Sequence, residues 1–150
     1  MTIEPMIVTH EIVINAPPEA VWRFVASVEG MKAWLGPREF DPRPGGRIVF
    51  RTHHNDQDLH IWGEIVTFDP PRELAFTWTE QVIGAEPWPV ATLVRVRLTP
   101  ERGGTRVSLN HSGFEKLPRE MAQREFRGYT QGWAVLHDLD KLKAMVEEAA

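Results

Sequence analysis

Two histidines and two glutamates stand where they could do chemistry. His10 in "VTHEIVI" and His111 in "SLNHSGF" alternate with apolar residues, which puts each on the inward face of a strand. An inward imidazole needs a hydrogen-bond partner. It is either a satisfied core residue or a group that orients a polar ligand and moves a proton near neutral pH. Glu64 and Glu80 occupy strand positions that share a face with Trp62 and Trp78. Pointing inward, they serve as acid, base or ligand anchor. If a bulge slips the register, they are merely solvated. His111, Glu64 and Glu80 are the catalytic candidates. "HHNDQDLH" (53–60) gathers histidines and aspartates able to hold zinc or nickel. Asn55-Asp56 is turn chemistry, however, and the spacing is not HExxH, so no metal site is expected. The chain has no cysteine, which removes thiol catalysis. It has no GxSxG, P-loop or GxGxxG either, and no cofactor is expected.

These groups must be held by a meander. Strands are expected at 7–14, 47–53, 59–69, 73–80, 91–99 and 105–114, joined after the first by short turns. Between the first two lie "PPEAVWRFV", with proline suited to a first helical turn, and "VEGMKAW", closed by Gly36. From about Pro118 to Glu148 the pattern is helical. The order is β-α-α-β-β-β-β-β-α, an α+β arrangement with six antiparallel strands and one long C-terminal helix over their apolar face. Residues 1–150 read as a single domain. Arg95, Arg97 and Arg106 fall on the opposite, solvated face.

The terminal helix carries Gly128 and Gly132, each costing about 1 kcal/mol relative to alanine. At 100° per residue they share a stripe with Val135, Leu139, Leu142 and Val146. Close packing of backbone on backbone is one reading. The other is a gap between helix and sheet, filled by large side chains, water or ligand. Trp62, Phe76 and Trp78 are its candidate walls, with Phe126, Tyr129 and Trp133 to one side of the stripe.

"INAPPEAVWRFV", "GEIVTFDPPRELAFTW", "GTRVSLNHSGF" and "GWAVLHDLDKLK" together resemble the SRPBCC superfamily, the START-like or birch-pollen-allergen-like helix-grip fold. Within it they look most like the branch named for the activator of the heat-shock-protein-90 ATPase. The resemblance implies a curved sheet gripping the long helix around a hydrophobic cavity. Its expected lining is Trp34, Phe50, Trp62, Phe76, Trp78, Val94, Val96, Leu109, His111, Phe126, Tyr129, Gly132 and Trp133.

Three functions fit. The first is binding of a small hydrophobic or aromatic molecule. The second is a cyclase- or hydrolase-like enzyme that uses His111, Glu64 or Glu80. The third is a chaperone-associated module, ranked last because a single domain leaves no separate chaperone-binding domain. A net charge of −4 argues against nucleic acid. No apolar run is long enough for a membrane span and no signal peptide is evident, so the cytoplasm is the expected compartment. The loop "QVIGAEPWPV" either lines the cavity mouth or, through an exposed Trp88, makes a homodimer contact.

Overall fold

The computed structural model describes residues 5–150. Its strands are β1 (Ile7–Ile14), β2 (Glu39–Phe40), β3 (Arg47–His54), β4 (Gln57–Asp69), β5 (Glu73–Val82), β6 (Thr92–Glu101) and β7 (Gly104–Ser112). Its helices are α1 (Pro18–Val25), α2 (Val28–Trp34), α3 (Arg119–Leu136) and α4 (Asp138–Ala149), with a 3-10 turn at Phe114–Lys116. The strands form one antiparallel sheet in the order β1-β7-β6-β5-β4-β3-β2. This is the expected α+β helix-grip fold with two differences. The sheet has seven strands rather than six, because the loop after Gly36 pairs briefly with β3 as the two-residue β2. The terminal helix is two helices.

Local chemistry sets the elements. Pro18 opens α1, where a missing N–H costs nothing. Ser27 caps α2 by accepting from the Gly30 N–H at 3.0 Å. Gly36, at φ +85°, closes it by donating to the Met31 carbonyl at 3.1 Å. Asn55 and Asp56, both at positive φ, form the two-residue turn between β3 and β4. Along β4 the ladder to β5 opens between Trp62 and Ile65, and the Glu64 N–H donates instead to Thr77 Oγ1. A Cβ on Gly63 would lie 1.7 Å from the Thr77 carbonyl oxygen, so this bend admits no side chain.

His137 separates α3 from α4 with φ 55° and ψ 38°, a left-handed conformation that ends α3. The joint resets the helical phase. The inward residues of α3 are Ala122, Tyr129 and Trp133, whereas those of α4 are Leu139, Leu142 and Val146. The single stripe expected from Gly128 to Val146 does not exist. Val135 is 70% exposed and the glycines lie to the side of the inward face. Replacing His137 by glycine is expected to raise stability by about 1 kcal/mol, read as a higher urea midpoint, because glycine adopts this backbone without strain.

The core fills the concave side of the sheet. Ile14, Ile48, Ile65 and Leu74 meet Val21, Val25, Met31 and Trp34 of α1 and α2 and Leu142 and Val146 of α4. The α3 end is built differently, from aromatic rings.

Candidate functional site

Strand β5 sends Trp78 and Glu80 inward in alternation. Across the ladder Glu80 faces Ile61 of β4, and Ile61 faces Phe50 of β3. Trp78 is the hub. Its ring centroid lies 4.9 Å from that of Phe50, 5.4 Å from His111, and 5.8 Å from both Tyr129 and Trp133. Phe114 packs beside His111 at 4.4 Å, and Phe126 packs on Phe114 at 5.7 Å. The space under the inward face of α3 is therefore occupied by aromatic rings, in a polarised, edge-rich arrangement that stabilises such clusters.

Two hydrogen-bonded chains thread the rings. In the first, Trp78 Nε1 donates to the Tyr129 hydroxyl at 2.8 Å, and that hydroxyl donates to Glu80 Oε1 at 2.5 Å. In the second, Trp133 Nε1 donates to His111 Nδ1 at 3.1 Å. An indole N–H can only donate, so Nδ1 is bare and the imidazole proton sits on Nε2. Nε2 lies 2.7 Å from Thr92 Oγ1, which in turn donates to the Trp78 carbonyl at 3.1 Å. His111 is fully buried with both nitrogens used. Burial pulls its pKa from 6.5 down to about 3, so the ring is neutral.

Glu80 differs. It is 9% exposed, and among the described residues only Tyr129 bonds its carboxylate. Burial pushes its pKa up, the Tyr129 hydrogen bond opposes that, the Glu125 charge adds to the rise and the Arg124 charge opposes it. Burial, followed by the Glu80 charge, raises Tyr129 well above the ordinary phenol range.

The glycines stand next to this group. Glu125, Gly128 and Gly132 are spaced i, i+3, i+7 and share one flank of α3. The charges of both Glu125 and Arg124 act on Glu80, so this stretch of α3 lies near the carboxylate. A Cβ built on Gly128 or Gly132 meets nothing within 4 Å. That removes close packing as the reason for either glycine. Gly128 is exposed and Gly132 half-buried, so the room beside them is open to solvent rather than an enclosed hollow. Beyond Glu80 the same concave face carries Leu59 and Val82, paired with each other and half-buried.

Three expectations change, those for Trp62, Glu64 and Trp88. Trp62 and Glu64 lie on the outer face, since Ile61, Gly63 and Ile65 take the inward positions of β4. Trp62 stacks on His60 at 4.8 Å, and Glu64 is exposed. Burial, then the charges of Arg51 and Arg47, lowers the His60 pKa. Trp88 is 7% exposed and packs against Tyr129 and Phe114, so it is a wall of the aromatic cluster and not an exposed contact. Trp34, Phe76, Val94, Val96 and Leu109 are sealed in the core. His10 is half-buried on β1. His53 pairs with Asp58 at 2.9 Å across the β3–β4 hairpin, and the described residues contain no group of three metal-ligating side chains. Glu73 holds Arg95 at 3.2 Å and Arg97 at 2.6 Å on the outer face, and Arg106 pairs with Glu11 and Glu101. Surface hollows of about 480 Å³ and 200 Å³ lie at the other end, around Asn15. Neither contains any of the aromatic cluster.

Residues 15–147 match the family described as Activator of Hsp90 ATPase homolog 1-like protein. The chain belongs to this family. Among solved structures, protein MLL2253 from Mesorhizobium loti is 24% identical with a TM-score of 0.72, over 96% of this chain and 98% of that one. Protein Ms6760 from Mycobacterium smegmatis is 19% identical with a TM-score of 0.73, over 93% and 90%. A protein from Colwellia psychrerythraea, described as an Aha1 dimer, is 21% identical with a TM-score of 0.66, over 94% and 96%. At these identities the likeness establishes the fold. No curated protein matches the chain. Among the described residues no helix is long and apolar enough to cross a membrane.

Proposed function

We propose that the protein binds a small hydrophobic or aromatic molecule in the groove between the glycine flank of α3 and the concave face of β3–β5. One observation carries this reading. Two helical glycines cost about 2 kcal/mol together, and no neighbouring atom requires either of them. What they preserve is room, beside an aromatic wall and the buried Glu80 carboxylate, whose second oxygen has no protein donor among the described residues. Leu59, Ile61 and Val82 supply apolar surface opposite, and Glu80 supplies a polar anchor. Such a mixture of apolar walls and few polar groups suits small-molecule recognition. The acid–base reading is weaker, because His111 has no free nitrogen and Glu64 faces solvent.

The test adds a side chain where the protein has none. Gly132→Leu is expected to weaken binding of aromatic ligands by about tenfold or more, followed by tryptophan fluorescence titration. The same change should leave the melting temperature equal or higher, since leucine is the better helix former and its Cβ would meet nothing within 4 Å. A variant that binds as tightly as the parent would place the ligand elsewhere. If no aromatic or aliphatic ligand binds the parent saturably, the reading fails.

A further inference from the structure

Resting on that groove, the chemistry of Glu80 narrows what fills it. A carboxylate nine-tenths removed from water loses the hydration of its lone pairs unless other donors replace it. Tyr129 provides one hydrogen bond to Oε1, and the described residues provide no other. The charged groups around it do not neutralise it. Glu125 adds a second negative charge from α3. Arg124, also on α3, is the cation acting on Glu80, but its guanidinium is directed to Glu125 at 3.3 Å and its side chain is 67% exposed. From β4 the cross-strand neighbour is apolar Ile61. From the loop after β5, Trp88 contributes a backbone N–H, and this goes to the Glu80 main-chain carbonyl at 3.0 Å, not to the carboxylate.

The surrounding rings have a matching property. Trp78 and Trp88 each pack edge-on to Tyr129, with centroids 5.8 and 5.9 Å away, close to the carboxylate that Tyr129 bonds. Aromatic faces attract cations through their quadrupoles, more strongly where water is thin. A buried carboxylate with a vacant oxygen and three electron-rich rings nearby is a poor place for an anion and an incomplete place for a neutral hydrocarbon.

We infer that the groove selects an organic cation: an aromatic or hydrophobic molecule bearing a primary or secondary ammonium, whose N–H groups complete the Glu80 carboxylate while its apolar part lies against Leu59, Ile61 and the glycine flank. The ammonium makes a charge-assisted hydrogen bond, about twice the strength of a neutral one. It also offsets the penalty of burying the carboxylate charge.

Three probes of one size separate the possibilities. They are 2-phenylethylamine, 2-phenylethanol and phenylacetate, titrated calorimetrically into the full chain at pH 7.5. The ammonium is expected to bind about tenfold or more tighter than the alcohol, and the carboxylate weakest. Glu80→Gln keeps an acceptor for Tyr129 and is expected to bring the affinities of amine and alcohol to within about twofold of each other. Equal affinity for amine and alcohol in the parent would overturn the cation assignment and leave the groove reading standing. So would an amine preference that survives in Glu80→Gln. Failure of all three probes to bind would overturn the groove reading and this one with it. The parent comparison needs no variant, so the outcome does not depend on how well Glu80→Gln folds.

Discussion

Between pH 7 and pH 4.5 the unfolding free energy is expected to fall by about 3 kcal/mol through His111 alone, and His111→Gln is expected to remove that part of the slope. The imidazole accepts from Trp133 and donates to Thr92, so a second proton finds no acceptor. Its folded pKa of about 3 lies below the ordinary 6.5. Between those values the unfolded chain holds a proton that the folded one does not. The stabilisation is therefore whole above 6.5 and is lost as the pH falls toward 3. Over the full interval it is on the order of 5 kcal/mol, comparable with the whole stability of a marginal domain. Glu80 and Asp138 act with the opposite sign. Burial raises both, so their contribution falls as pH rises from the unfolded carboxyl pKa through the folded one. Comparing parent and variant cancels these shared terms. Urea titrations at several pH values would give parallel profiles for the two proteins if His111 were not the cause.

Trp78→Ala is expected to cost about 3–5 kcal/mol, measured by urea unfolding at pH 7. The indole touches Phe50, Phe76, His111, Tyr129 and Trp133, so its removal opens a hole bounded by all of them. It also takes away the donor to Tyr129. Excess indole should refill the hole and recover part of the melting temperature, because a ligand that binds only the folded form stabilises it. A loss under about 1 kcal/mol would mean that the cluster relaxes around the gap and that Trp78 is not its keystone.

The meander was readable because turn residues and period-two alternation repeat at short intervals. Parity along a strand was less secure. In β4 the inward set is Ile61, Gly63 and Ile65, and a glycine in that set leaves Trp62 as the more conspicuous apolar residue. The alternation then reads with the wrong face inward. β2 escaped because two residues carry no period. The break at His137 escaped because neither glycine nor proline marks it, and a left-handed histidine looks like any helical residue in sequence. The unbroken stripe inferred across it was therefore a sum of two phases. Gly128 and Gly132 were conspicuous, and the room beside them is present, but their direction depended on that phase. The Trp78–Tyr129–Glu80 chain joins positions 49 and 51 residues apart. No local pattern announces such a pairing. Tyr129 alone offered a hint, as the single tyrosine of the chain.

The placement of the tryptophans has an optical consequence. Trp62 sits on the convex surface against His60, while Trp78, Trp88 and Trp133 share the interior with Tyr129. Emission from half-buried Trp62 and Trp22 reports the solvent, Trp34 is sealed in the core, and emission from the inner set reports whatever enters from the flank of α3. A dissolved quencher such as iodide reaches the first population and spares the second, so the protein carries its own internal reference against which occupancy can be read.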